Sequence, residues 1–284
     1  MGSGESARYW THPELPGVDL LRARYIRKAF TPHTHDTFAL AAITEGVEEF
    51  RHRTDIERVG PGGVALVNPD VPHTGYAGVP EGWTYRVLYP APELIADIAA
   101  ETTAIRGTPG FRDVVVESDP RSHRLLIAVH RAAEEGNALA ADGLLRIAVA
   151  RLLRLYGAPA AARTAPSAGA RNAVRARAVL EERMAAPPSL EKLATELGTS
   201  PFALLRAFRA TYGMPPHTWL TDARVRRARL LLDAGTPPAV AAAAVGFTDQ
   251  PHLNRHFTRI VGVPPGAYQR ERARTYKTGD ALRP

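Results

Sequence analysis

The chain has 284 residues, 45% of them hydrophobic, enough for two modest cores, since domains usually run about 100–150 residues. It contains no cysteine, which excludes thiol redox sensing, cysteine–zinc centres and cysteine nucleophiles. Residues 158–284 hold 19 Lys and Arg against 9 Asp and Glu, whereas residues 1–157 hold 17 against 20, so a polyanionic partner is expected for the C-terminal half alone.

No stretch of 18 or more residues is continuously apolar and no signal-peptide pattern opens the chain, so the expectation is a cytoplasmic protein without a membrane partner. From about Val18 to Val116, short segments such as FALAAITE, VEEFRHR, IERV, GVALVN and WTYRVLYP are separated by Gly, Pro, Asn and Asp. Many short strands without intervening helices predict a small β-barrel or sandwich. Two helices are expected from about Pro120, SHRLLIAVHRAAEE and ALAADGLLRIAVARLLRLY. The second is apolar around more of its girth than one core face needs, with Leu144, Leu145, Ile147, Leu152 and Leu155, so it has one side for the barrel and another for a partner chain. The Ala-, Pro-, Ser- and Gly-rich APAAARTAPSAGA then reads as a flexible linker. A helix over about Asn172–Ala185 follows it.

The last third of the chain contains a degenerate duplication. The segment Ala194–Trp219 recurs about 49 residues later as Ala242–Tyr268, with Leu204 answering to Leu253, Arg206 to Arg255, Phe208 to Phe257, Gly213 to Gly262 and Trp219 to Tyr268. Such self-similarity means one supersecondary unit used twice. In the first copy Ser189 caps a short helix, Gly198 closes it, and Ser200 caps a second helix with Pro201 in its first turn. Leu204 and Phe208, four apart, face inward. Phe202, Leu205, Arg206 and Arg209 remain near the exposed face. The second copy follows the same plan, with Thr248 as cap, Leu253 and Phe257 inward, and Gln250, His252, Asn254, Arg255 and Arg259 outward. Gln, Asn and Arg suit bidentate pairing with adenine or guanine edges. Between the copies, HTWLTDARVRRARLLLDAG predicts one long helix ending at Gly235.

These features resemble the AraC/XylS family of bacterial transcriptional regulators. The resemblance covers about the last 115 residues and is carried by AVGFTDQPHLNRHFTRIVGVPPGAYQR and by the Arg-x-x-x-Ala-x-x-Leu-Leu pattern from Arg224. It implies sequence-specific binding of double-stranded DNA in the major groove. Phe202, Leu205 and Arg206 would face bases in the first copy, and Gln250, Pro251, Asn254 and Arg255 in the second. Ser200 and Thr248 would stand at the helix starts. Arg209, Arg259, Arg226 and Arg227 read as phosphate contacts or plain solvated charge, and for Arg206 and Arg255 a phosphate clamp is the alternative to base contact.

The N-terminal half resembles the cupin-like effector domain commonly joined to such units, through Pro32-His33-Thr34-His35-Asp36, Gly46, Gly63 to Pro69 and Pro72-His73. The organisation implied is α+β in two domains. Residues 1–157 form a cupin-like β-barrel followed by two helices, for effector binding and dimerisation; 158–171 are the linker; 172–284 form an all-α domain with two helix-turn-helix units joined by a long helix. Candidate effector contacts are His33, His35, Arg51, His73, Tyr76, Trp83 and Tyr85, with Asp36 and Arg53 near them. A small-molecule effector, a second copy of the chain and RNA polymerase are the further partners implied, with no cofactor and no catalytic residue. In metal cupins a glutamate follows the His-x-His pair; Ala39 or Leu40 stands there here, so metal is not expected, although His33, His35 and His73 could form a three-histidine site. The competing readings are a metal-dependent cupin enzyme fused to a DNA-binding module and a regulator whose barrel serves assembly alone.

Overall fold

A computed structural model describes residues 4–52, 55–112, 114–116, 119–160 and 167–280, the stretch 274–280 by its backbone alone. The chain divides into two compact units: residues 1–29, 34–162 and 270–284 form the first, and residues 30–33 and 163–269 the second.

Among the described residues, nine strands precede the first helix: β1 (Ser6–Thr11), β2 (Val18–Tyr25), β3 (Ala29–His33), β4 (Ala39–Gly46), β5 (Glu48–His52), β6 (Asp55–Val59), β7 (Val64–Val67), β8 (His73–Ala77) and β9 (Trp83–Pro90). Then come α1 (Pro92–Thr102), β10 (Pro109–Phe111), β11 (Val115–Val116), α2 (Pro120–Glu134), α3 (Ala138–Tyr156) and β12 (Gly157–Pro159). One antiparallel sheet runs in the order β1-β2-β9-β4-β7-β11, and β8, β5 and β6 lie side by side in a second. Side chains alternate between the two faces of a strand, and the first sheet uses both. Leu20, Leu40 and Leu88 point into the core built with α1, α2 and α3. The alternate positions of β2 and β9 carry Ala23, Tyr25, Trp83, Tyr85 and Tyr89 instead, all buried.

Two local expectations are corrected. Helix α1 interrupts the region expected to hold strands alone, so three helices follow β9 where two were expected. Pro92 starts it where a missing N–H costs nothing, and Ile95, Ile98 and Ala99 share its buried face. Its apolar face, Leu94, Ile95, Ile98 and Ala99, is too short to stand out between strands. The second correction concerns the start of the expected linker, where Gly157–Pro159 pairs antiparallel with β10. Residues 161–166 of that linker lie outside the described residues.

Helices α2 and α3 are tied together by Asp119, the N-cap of α2. Its carboxylate accepts from the Ser122 backbone N–H at 3.1 Å, the Ser122 hydroxyl at 2.6 Å, Arg151 at 2.9 Å and the Tyr156 hydroxyl at 3.2 Å. Burial pushes the group upward, but the hydrogen bonds from Arg151 and Ser122 outweigh it and hold it at about 2.

The second unit is helical: α4 (Ala168–Glu182), α5 (Leu190–Glu196), α6 (Pro201–Tyr212), α7 (Pro216–Asp233), α8 (Pro238–Ala244) and α9 (Gln250–Val261), followed by α10 (Pro265–Asp280). The pairs α5–α6 and α8–α9 are the two expected helix-turn-helix motifs, joined by the 18-residue α7. At 1.5 Å per residue that helix is about 27 Å long. Ala173, Ala176 and Leu180 of α4 pack with Leu193, Leu204, Phe208 and Trp219 in one core. Among the described residues, no helix is long and apolar enough to cross a membrane.

The Asp119 network predicts that Asp119→Ala lowers the unfolding free energy in urea by about 2–4 kcal/mol. Because this carboxyl is held below its ordinary value of 3.8, its contribution is full above that value and lost as pH falls through about 2. Unfolding followed from pH 5 downward should therefore show a steeper loss in the wild type than in Asp119→Asn.

Candidate nucleic-acid interface

Each helix-turn-helix is set by a few local residues. Ser189 caps α5 by accepting from Lys192 N–H, and Ser200 caps α6 by accepting from Ala203 N–H, each at 3.2 Å. Gly198 and Gly246 occupy the turns with positive φ. Gly246 is required twice over: its φ is +87°, and a Cβ there would lie 2.6 Å from the Ala185 backbone. Gly213 and Gly262 end α6 and α9 in the left-handed conformation.

The second cap differs from the sequence expectation. Asp249, not Thr248, is the N-cap of α9, and its carboxylate accepts from His252 N–H at 2.6 Å. The one-residue insertion in the second copy moves the cap by one position, and a carboxylate at a helix start also meets the positive end of the helix dipole. Thr248 is exposed beside it, its hydroxyl 3.4 Å from His252 Nδ1.

Leu204, Phe208, Leu253 and Phe257 have no solvent exposure. With that side of each helix consumed, the opposite side is available. On α6, Phe202 is 75% exposed, Arg206 and Arg209 are exposed and Leu205 is half-buried. Leu205 and Phe202 line, with Ser189, Leu190, Glu191 and Pro201, an open groove of about 390 Å³. On α9, Gln250, Pro251, Arg255 and Arg259 are exposed, and Asn254 is half-buried with an amide oxygen that has no partner among the described residues. All the DNA-facing candidates therefore lie on these two helices or at their starts.

Other basic residues separate by role. Arg227 and His217 are exposed, but Arg226 is half-buried and lies 3.5 Å from the buried carboxylate of Asp222 on the same helix. Arg226 is thus paired on its own helix, unlike the exposed Arg227. Arg224 is a positioning residue read from the sequence only as part of a pattern. Its guanidinium donates twice to the Met184 carbonyl, at 3.0 and 2.7 Å, and lies 5.8 Å from the Phe247 ring centroid. It thereby ties the second turn to the segment after α4. His256 stacks on Phe247 with ring centroids 5.7 Å apart, and burial, with His252 and the neighbouring arginines, lowers its pKa.

In the first unit, His35 lies 5.0 Å from His73 and 5.1 Å from Tyr89, ring centroid to ring centroid. His35 and His73 are thus adjacent there, and His33 is buried on β3. Nδ1 of His33 faces the Thr31 carbonyl and Nδ1 of His73 the Val71 carbonyl, at 2.8 and 3.0 Å, an arrangement that leaves Nε2 as the lone-pair nitrogen. Trp83 and Tyr85 are buried on one face of β9. Across β5 and β8, Glu48 is opposite Ala77 and His52 opposite His73. Glu49, Arg51 and Tyr76 therefore occupy the other face, where the Tyr76 hydroxyl hydrogen-bonds Glu49. Asp36 is exposed, and Arg53 lies outside the described residues. One group was missed by the sequence reading: Glu48, only 9% exposed and pushed up by burial to about 8.

Residues 15–153 match the AraC-like ligand binding domain family, and residues 193–271 a helix-turn-helix domain family. The uncharacterized HTH-type transcriptional regulator YbfI of Bacillus subtilis is 26% identical over 236 residues, 83% of this chain and 86% of its own length. The HTH-type transcriptional regulator MtrA of Neisseria gonorrhoeae is 32% identical over 85 residues, 29% of this chain and 28% of MtrA. ToxT from Vibrio cholerae shares the fold, with a TM-score of 0.55 at 11% identity over 95% of this chain and 98% of ToxT. A second ToxT structure, at a TM-score of 0.54 and 11% identity over 94% of this chain and 95% of ToxT, holds an unsaturated fatty acid. Fold and site together define a helix-turn-helix transcriptional regulator that carries a ligand-binding domain. The chain belongs to the AraC family.

The cap assignment predicts that Asp249→Ala lowers the thermal stability of the second unit by about 1 kcal/mol, whereas Thr248→Ala leaves it within about 0.5 kcal/mol. Glu48 predicts an opposite pH trend. Its folded value is raised above the ordinary 4.5 to about 8, so stability is highest below 4.5 and falls as pH rises toward 8. Glu48→Gln should flatten that fall in urea titrations at a series of pH values.

Proposed function

We propose that α6 and α9 are the two DNA-reading helices of this AraC-type regulator and that the face of the first unit around His35, His73, Trp83 and Tyr85 receives its effector. One observation carries the DNA assignment. The fully buried Leu204–Phe208 and Leu253–Phe257 pairs roll both helices so that Arg206, Gln250 and Arg255 turn away from the core, with Asn254 half-buried beside them. Arg and amide side chains offer the paired donors and acceptors that distinguish guanine and adenine edges. Phe202, Leu205 and Pro251 would meet thymine methyls, and Arg209 and Arg259 phosphates, with Ser200 and Thr248 at the helix starts. An α7 of about 27 Å suits helices placed in successive major grooves about 34 Å apart.

The regulator acts as a homodimer through α3 in this reading. Leu139 is 86% and Ile147 53% exposed, and Leu155 is exposed as well, more apolar surface than a solvated helix carries. Effector and DNA are then linked by the differential affinity of two states for the ligand. The family relatives are transcriptional regulators, which favours binding over catalysis for the first unit. The metal-enzyme reading keeps one supporting observation, the adjacent His35 and His73. One equivalent of iron or nickel in untagged protein would favour it.

Arg255→Ala should relax preference at one base position and cost about 1–3 kcal/mol on the selected sequence, measured by competition binding. An equal loss on specific and random DNA would assign it to phosphate instead. A fragment beginning near Ala170 should retain DNA binding that weakens steeply with salt. Ile147→Arg should shift the full chain from dimer to monomer in sedimentation.

A further inference from the structure

The interior positions of the first unit hold a carboxyl group that the fold leaves without a counter-charge. Glu48 is buried on β5, and among the described residues no hydrogen bond or ion pair reaches its carboxyl; burial is the one influence acting on it. A carboxyl left in this way opposes folding. The segment leading into Glu48 runs beside β9, where Gly46 pairs with Trp83 and the Val47 N–H donates to the Gly82 carbonyl at 3.2 Å, next to a cluster of three buried rings. Tyr25 lies 5.3 Å from Trp83 and 6.1 Å from Tyr85, and Trp83 lies 5.9 Å from Tyr85, centroid to centroid. Both tyrosines feel the Glu48 charge, which adds to the effect of burial in raising their hydroxyls. Lys28 stands 6.0 Å from the Tyr25 ring but exerts no effect on Glu48.

Small side chains adjoin this group. Ala77 is directly opposite Glu48, and Ala23 directly opposite Tyr85. Directly opposed residues share a face, so small side chains flank Glu48 and Tyr85. The electron-rich faces of Trp and Tyr attract organic cations, most strongly where water is excluded. A buried carboxylate supplies the matching charge.

We infer that Glu48, with Tyr25, Trp83 and Tyr85, selects an effector bearing a cationic nitrogen, an ammonium or quaternary ammonium group. This rests on the reading of the first unit as the effector-binding domain and adds to it the chemical class of the ligand. That class is opposite in charge to the fatty acid held by ToxT. Docking a cation beside Glu48 favours its ionised form, so a group protonated in the empty protein at neutral pH gives up its proton on binding.

The test uses the full chain and a series of alkylammonium ions, from methylammonium to benzyltrimethylammonium, against the matched alcohols and carboxylates. Calorimetry in buffers of different ionisation enthalpy counts protons. At least one ammonium ion should bind saturably and release close to one proton at about pH 7, while the alcohols and carboxylates bind at least tenfold more weakly. Glu48→Gln should weaken that ion at least tenfold and abolish the proton release. Tyr85→Leu, which keeps the carboxyl and removes one ring, should weaken it severalfold with the proton release preserved. Should Glu48→Gln not fold, the wild-type proton count and the Tyr85→Leu result decide. Failure of every ammonium ion to bind, or equal binding by Glu48→Gln, overturns the inference. DNA binding measured in the same samples separates it from the broader reading. An alcohol or carboxylate that binds and alters DNA affinity leaves an effector domain without this selectivity, and an ammonium ion that binds with proton release but leaves DNA affinity unmoved leaves a cation site without an effector role.

Discussion

Two apolar side chains four residues apart decide what each reading helix presents to the solvent. Leu204 with Phe208 and Leu253 with Phe257 are fully buried, and a helix anchored at i and i+4 has little freedom to roll about its axis. Arg206 and Arg255 follow their leucines by two positions and so emerge on the far side. Removing either phenylalanine would cost several times what a cap contributes. The proposed recognition surface is therefore a consequence of core packing.

The turns add the second constraint. Ser200 and Asp249 fix where the helices start, Gly198 and Gly246 fix the turn that precedes them, and Arg224 holds the second turn through the Met184 carbonyl. Each is worth little alone, about a kilocalorie per mole, yet such amounts are a large share of a net stability of about 5–15 kcal/mol. In the first unit the economy is different. The same strands β2 and β9 give Leu20 and Leu88 to the helix-backed core and Tyr25, Trp83 and Tyr85 to the opposite face, so one sheet both supports the unit and lines its polar aromatic interior.

What was legible in the sequence was local and repeated. Caps, left-handed glycines and the Leu–Phe spacing recur in both copies, and the duplication made the helix-turn-helix pair and its connecting α7 readable. Features decided by pairing or by a single residue of register were not. Thr248 aligns with Ser200 and so reads as the cap, whereas the insertion places Asp249 there. Helix α1 was hidden by its short period, and the strand at Gly157–Pro159 by a composition that otherwise suits a linker. Glu48 and Glu49 are adjacent and alike in sequence. Only the pairing of β5 with β8 shows that the first is buried and the second hydrogen-bonded to Tyr76. The pairing of Arg226 with the buried Asp222, 3.5 Å away, is likewise invisible without the fold.

The central claim, that two helices of one chain read successive groove segments from a single side of the duplex, is tested most directly by hydroxyl-radical footprinting of the full chain on its selected DNA. For each protomer the account predicts two protected tracts about one helical turn, roughly 10 base pairs, apart on the same face. A single protected tract per protomer, or protection that circles the duplex, would contradict it.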